Sequence, residues 1–224
     1  NIGTPLLSKI DKVAQTDKVI LELSSFQLMT IKDSPSVAVV TNISPNHLDV
    51  HKSLQEYIDA KKNIFLYQKE EDRLVINYDN DITKGFLNEA RSQCVYFSRA
   101  NNLSSGVIFK NNRIVVRTDD KDIEIVDVDD IRIPGVHNIE NYMAATAATI
   151  DYVKPETIAR VATTFNGVEH RIELVRELNG IKFYNSSIDS SPSRTIAALS
   201  TFKNRVILIA GGKDKGIPYD SIGQ

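Results

Sequence analysis

Thiol chemistry is nearly missing from these 224 residues: Cys94 is the single cysteine. That excludes an intrachain disulfide and suits a reducing compartment. Long apolar runs are missing as well. Nothing approaches the roughly 18 consecutive apolar residues of a membrane span, and no signal-peptide pattern is present. Charge of one sign is also lacking, since 27 Lys and Arg stand against 29 Asp and Glu, a formal net charge of −2. There is therefore no basic excess to suggest a nucleic-acid partner. The phosphate-loop pattern G-x-x-x-x-G-K-[ST] occurs nowhere, and no internal repeat or low-complexity tract appears. These absences leave a globular protein of ordinary composition, 42% hydrophobic and 25% charged, expected in the cytoplasm with neither membrane nor nucleic acid as partner.

What is present is organised around Asp17 to His51. An apolar run, Val19-Ile20-Leu21, closes on Glu22 and a polar turn, and a second run, Val37–Val40, opens onto Asn42, Asn46, His47 and Asp49. Short β-branched runs between polar turns read as buried parallel strands of an α/β fold. Ligands of such sheets sit beyond the carboxyl ends of the strands. A carboxylate and an imidazole at neighbouring strand ends can share a divalent cation or hold polar substrate groups, although polar residues gather in loops in any case.

Along the chain, Leu6 to Ala14 has helical spacing with one apolar face, and Lys18–Leu23 reads as a strand. A short helix follows at Phe26–Ile31, then a strand at Val37–Thr41. Ser53 and Glu56 match a capping box and predict a helix from Leu54 to Tyr67, with Lys61 and Lys62 at its centre. Adjacent helical lysines are ordinarily solvated. Strands are predicted at Arg73–Tyr78 and Cys94–Phe97 around a helix at Ile82–Arg91. A hairpin through Asn111-Asn112 precedes strands near Ile123–Val126 and Ile131–Ile133. Helices His137–Val153 and Pro155–Phe165 come next, and a domain boundary is placed at Asn166-Gly167. Beyond it, Val168–Leu178 and Ile181–Tyr184 flank an Asn179-Gly180 turn. A helix from Pro192 to Thr201 and a buried strand at Arg205–Ala210 complete the order. The chain opens on Asn1 without a methionine and stops just after a strand and glycine loop, so it reads as a piece of a longer protein.

Several groups could carry chemistry. Gly211 to Gly216 combines three glycines with Lys213 and Lys215, which suits an anion or an ordinary surface turn. The serine run before Pro192 lies at a predicted helix N-terminus, which favours anions or a plain cap. Asn138 and Asn141 share a helical face. Paired amides there can read a base edge such as adenine, and capping by Asn138 is the simpler account. Glu169-His170-Arg171 forms a charged cluster near the boundary.

These segments, in order, resemble the Mur ligases: Asn1-Ile2-Gly3, Glu22-Leu23-Ser24-Ser25-Phe26-Gln27-Leu28, Asn42 to Asp49, Tyr57 to Lys61, Gly135 to Asn141, Glu169 to Glu173, and Gly211 to Gly216. The Glu22–Leu28 segment is similar to the branch that adds D-glutamate to UDP-N-acetylmuramoyl-L-alanine. The resemblance implies a P-loop-NTPase-like central ligase domain over residues 1–166, truncated at its start and carrying a β-hairpin subregion. Residues 167–224 would begin a Rossmann-like C-terminal domain. It implies that Glu22, His47 and a carbamylated Lys61 hold two Mg2+ ions, which would overturn the solvated reading of Lys61. Asn1, Ser24 and Gln27 would face the UDP-muramoyl substrate or its metal. Asn138 and Asn141 would read adenine, with Arg171 serving ATP and Lys215 serving D-glutamate. The implied reaction is ATP-driven amide formation through an acyl phosphate in peptidoglycan precursor synthesis, by a monomer, with these 224 residues inactive on their own.

The pattern departs from the family at one place. Many members continue Asp-Ser-Lys-Ala-Thr-Asn after the tyrosine and asparagine matching Tyr184-Asn185; here the run is Ser186-Ser187-Ile188-Asp189-Ser190-Ser191. The usual Asp and Lys are gone, leaving Ser190 for the hydroxyl role and Asp189 for the acid. Two other readings stay open: a related amide ligase of the folate or cyanophycin type, and a non-catalytic module with the same fold.

Overall fold

The computed structural model describes residues 6–44, 51–119, 121–189, 192–212 and 219–223. They fall into two compact units, one holding residues 1–76 and 80–95, the other residues 77–79 and 96–224. The fold is α/β.

In the first unit, α1 (Ser25–Leu28) precedes β1 (Val37–Val40), α2 (Leu54–Lys62) and β2 (Arg73–Asn77). β1 runs parallel to β2, with Val37 opposite Arg73 and Val40 opposite Ile76. The connection between them carries α2, as a crossover between parallel strands requires. Leu74, Val75 and Ile76 are all fully buried, the continuous burial expected of a parallel strand covered on both faces. Phe65 and Phe86 pack there with centroids 5.2 Å apart. α2 is shorter than its spacing suggested. Asn63 ends it by donating its side-chain amide to the Leu28 carbonyl, at 2.9 Å, and a succession of turns takes the chain on to Tyr67. The helix predicted at Ile82–Arg91 divides into α3 (Asp81–Gly85), capped by Asn80, and a 3-10 turn at Phe86–Asn88.

Two expectations fail in this unit. Leu6–Lys12 is a 3-10 helix with no buried residue, so its apolar face is unused. Lys18–Leu23 forms no strand, and Ile20 is 89% exposed. Among the described residues no strand runs beside it, and a β-branched run without a ladder has nothing to be buried by.

In the second unit, the end of β3 (Gln93–Ser98) runs parallel to the start of β4 (Gly106–Lys110), with Phe97 opposite Val107. β4 begins level with the end of β3, so the seven-residue link has little length of strand to climb back. Gly106 makes this approach possible. It sits at φ +115°, and a Cβ there would lie 2.4 Å from the Tyr96 carbonyl oxygen. β4, β5 (Arg113–Arg117) and β6 (Asp122–Asp127) form an antiparallel meander. Asn111 and Asn112 take φ of 50° and 63°, as the two-residue hairpin requires.

β6 ends in a 3-10 turn at Val128–Asp130 in which Asp127 accepts the Asp129 amide. That cap diverts the chain, and the strand predicted at Ile131–Ile133 does not form. α4 (Val136–Thr149) packs on β4 and β5, and α5 (Pro155–Thr164) packs on β6. Met143 and Ala147 of α4 and Ala162 of α5 are fully buried. β7 (Glu173–Leu178) and β8 (Ile181–Asn185) form the hairpin read from Asn179-Gly180, followed by α6 (Pro192–Leu199). The strand predicted at Arg205–Ala210 is also not formed, and Ile207 and Ile209 are 96% and 95% exposed.

Candidate functional site

In the first unit the chain leaves Glu22, which is exposed, and enters α1 through a complete capping box. The Gln27 amide donates to Ser24 Oγ at 3.3 Å, and the Ser24 amide donates to Gln27 Oε1 at 2.9 Å. Ser24 and Gln27, both assigned to substrate by the resemblance, therefore hold each other at the start of α1, two residues after Glu22. Lys61 lies near the end of α2, half-buried, with its ammonium 5.8 Å from the centroid of the Tyr57 ring. Burial pushes the Lys61 ammonium below its ordinary value, while the negative charge of Glu22 acts in the opposite direction. The reading of both lysines as solvated is thus corrected, because Lys62 is also mostly covered and pairs with Glu89 at 2.6 Å.

Sequence reasoning missed the residue that ties these helices together. His51 is buried, with Nε2 2.9 Å from the hydroxyl of Ser25 in α1. Its ring stacks on Phe26 at 4.9 Å and meets the edge of Tyr57 of α2 at 5.3 Å. Nδ1 has no hydrogen-bond partner among the described residues and lies 3.7 Å from a Glu56 carboxylate oxygen. Its position four residues beyond His47 was the one available hint.

Magnesium takes oxygen ligands. Glu22 supplies a carboxylate, and Lys61 would supply two more oxygens as a carbamate. Among the described residues no group of three or more His, Cys, Asp and Glu converges. The described residues therefore fit magnesium only if Lys61 gains a carboxylate; burial favours the neutral amine such a step would need, and the negative charge of Glu22 opposes it. His47, Asn1, Ser190 and Lys215 lie outside the described residues.

The second unit carries the amide pair. Gly135, at φ +109°, is the N-cap of α4, and a Cβ on it would lie 2.7 Å from both His137 Cε1 and Thr201 Cγ2. Capping thus falls to the Gly135 backbone rather than to Asn138, whose side-chain amide donates to the Pro134 carbonyl at 2.6 Å. Asn141 donates to Asn138 Oδ1 at 3.4 Å, so the two amides are linked on one face. His137 is half-buried. Burial and the nearby Arg171 charge push its imidazole below the usual value, against Asp189 and Glu140. The structure therefore brings Arg171 near the helix that carries both asparagines. Arg99 Nε donates to Glu140 Oε1 at 2.9 Å, which anchors the first turns of the helix.

Residues 1–149 match the Mur ligase middle domain. The chain belongs to the Mur ligase family. Along all of its 224 residues it is 79% identical to the UDP-N-acetylmuramoylalanine--D-glutamate ligase of Ruminiclostridium cellulolyticum, covering 48% of that protein. It is 64% identical over 223 residues to the ligase of the same name from Acetivibrio thermocellus, again covering 48% of it. It spans about half the length of these curated relatives. Among solved structures, MurF from Acinetobacter baumannii superposes with a TM-score of 0.61 at 18% identity, over 79% of this chain and 39% of that one. That likeness concerns the fold. No helix among the described residues is long and apolar enough to cross a membrane.

Proposed function

We propose that these residues belong to a ligase that joins D-glutamate to UDP-N-acetylmuramoyl-L-alanine at the cost of ATP. One observation carries the reading: the whole chain is 79% identical to a ligase named for that substrate and that amino acid. The partly desolvated Lys61 beside Glu22 supports the chemistry. The substrate carboxylate attacks the γ-phosphorus of ATP, the bond to the bridging oxygen breaks, and ADP leaves. The D-glutamate amine then attacks the resulting acyl phosphate, forming the amide and releasing phosphate and a proton.

Carboxylate and triphosphate repel each other, and bound magnesium supplies the positive charge that lets them meet. Glu22, Lys61 as a carbamate, and His47 are proposed to hold it. A lysine partly stripped of water spends more of its time as the neutral amine. That amine adds to CO2, forming an N–C bond and losing a proton, and so turns a cation into a metal-binding carboxylate. Ser24 and Gln27, with Asn1, face the muramoyl substrate. Asn138 and Asn141 hold the adenine, Arg171 the phosphates, Ser190 and Lys215 the remaining substrate groups. We place the central domain at residues 1–166 and the start of the C-terminal domain at 167–224. The enzyme is proposed to act as a cytoplasmic monomer in cell-wall synthesis, and thereby in cell shape and division. Because no phosphate loop is present, these 224 residues alone are expected not to turn over ATP.

The test is phosphate release by a chain of the relatives' length that carries this sequence, with Mg-ATP and UDP-N-acetylmuramoyl-L-alanine. Release that requires D-glutamate and ignores L-glutamate is expected. Release with neither isomer would remove the proposal and favour the folate-type, cyanophycin-type or non-catalytic readings.

A further inference from the structure

The segment that carries Arg171 is held in a backbone shape that L-residues avoid. His170 has φ +65° and Ile172 has φ +48°. A β-branched residue in the left-handed region is a true outlier, and such strain persists only where the surroundings impose it. The imposing groups are Ser186, Ile188 and Asp189 from the segment that departs from the family, together with Asn185 and Glu173 beside it. Ser186 Oγ accepts the Ile172 amide at 3.1 Å and donates to Asp189 Oδ2 at 2.6 Å. The amide of Ile188 donates to the His170 carbonyl at 3.2 Å. The Asn185 side-chain amide meets His170 Nδ1 at 2.9 Å, and Glu173 accepts the His170 backbone amide at 2.8 Å. Ile172 is buried, while the Arg171 side chain between the two left-handed residues is exposed.

We propose that Ser186 and Asp189 are positioning residues for Arg171. The Asp189 carboxylate polarises the Ser186 hydroxyl, the hydroxyl holds the Ile172 amide, and the pair clamps the left-handed stretch that presents the guanidinium. A carboxylate strengthens the bond made through the hydroxyl because a charged acceptor is roughly twice as strong as a neutral one. The serine alone is a weaker clamp than the serine with its acid. The chain from Ile172 N–H through Ser186 Oγ to Asp189 has a further consequence. A carboxylate at position 186 can accept the Ile172 amide directly, so the two-residue clamp can be collapsed into one residue by S186D/D189A.

The inference rests on the proposed role of Arg171 toward ATP. In the full-length ligase, Asp189→Ala and Ser186→Ala are each expected to raise KM for Mg-ATP about tenfold, the size of one lost charge-assisted contact. KM for D-glutamate and for the muramoyl substrate stay within about twofold, and kcat moves less than KM for ATP. The double variant S186D/D189A restores KM for Mg-ATP to within about threefold of the parent. Asp189→Asn, the closest in shape, serves if the alanine variants do not fold, and is expected to show the same selective rise. Unchanged KM for Mg-ATP in D189A or D189N, equal loss toward all three substrates, or no recovery in the double variant each overturns the clamp. A parent enzyme with no D-glutamate-dependent phosphate release overturns the functional reading instead, before any variant is compared.

Discussion

Removing the carboxylate of Asp79 tests how strongly one side chain organises the second unit. Asp79 accepts from the Arg99 and Ala100 backbone amides at 2.7 and 3.1 Å, from Asn101 Nδ2 at 2.8 Å, and from the Ser98 hydroxyl. Asp79→Ala takes the acceptor from all four. Bonds to a charged group contribute about 1.5–3 kcal/mol each when buried. Arg99, Ala100 and Asn101 are exposed, so water replaces much of what they lose, and a net cost of about 2–4 kcal/mol is expected.

Urea unfolding measures this loss, through a lower midpoint at constant slope. The pH dependence supplies an independent sign. Burial alone would push the Asp79 carboxyl up, but the bonds from Ser98, Asn101, Ala100 and Arg99 outweigh it and leave the group below its ordinary value. The charged form is thus the one the fold favours. Its contribution is complete above the unfolded carboxylate pKa of about 4 and is lost as pH falls through the lower folded value. The gap between parent and D79A should therefore be wide at pH 7 and narrow in acid. A cost under about 0.5 kcal/mol at pH 7, within the range of ordinary surface changes, or a gap that widens in acid, would refute the argument.

Two other substitutions probe the helix that carries the amide pair. Tyr142→Phe removes a buried hydroxyl with no hydrogen-bond partner among the described residues, so it should be neutral or stabilise by up to about 1 kcal/mol; a clear loss in thermal unfolding would reveal a partner. Gly135→Ala forces a Cβ at positive φ against His137 and Thr201, and should destabilise by about 1–3 kcal/mol, read by urea unfolding, with no change contradicting the cap geometry.

The sequence was most informative where a residue's own conformational limits decide the structure. Asn111-Asn112 and Asn179-Gly180 made hairpins because those residues tolerate the left-handed region, and α4 followed from a run rich in alanine, the residue with the highest helix propensity. It misled where burial depends on a distant partner. Val19–Leu21 and Arg205–Ala210 have the composition of buried strands, yet an apolar run reports a need for cover and cannot say what supplies it. The resemblance pointed to Glu22, Lys61, Asn138, Asn141 and Arg171. The supports around them were illegible, because His51 with Ser25 and Asp189 with Ser186 are defined by contacts, and polar residues at those spacings are common.

The chain crosses between its two units at residues 76–77, 79–80 and 95–96. Cutting it at any one of these points leaves each unit missing residues or carrying foreign ones; even the last crossing strands Asn77–Asp79 on the wrong piece. During synthesis, the three-residue excursion emerges well before Ser98 to Asn101, the groups that Asp79 binds. It must wait, unanchored, for about twenty further residues, which at 5–20 residues per second is roughly one to four seconds. Ribosome-bound chains in which Asn101 is still inside the exit tunnel, and longer ones in which it has emerged, should accordingly differ in how readily a protease cuts at Asn77–Asp79.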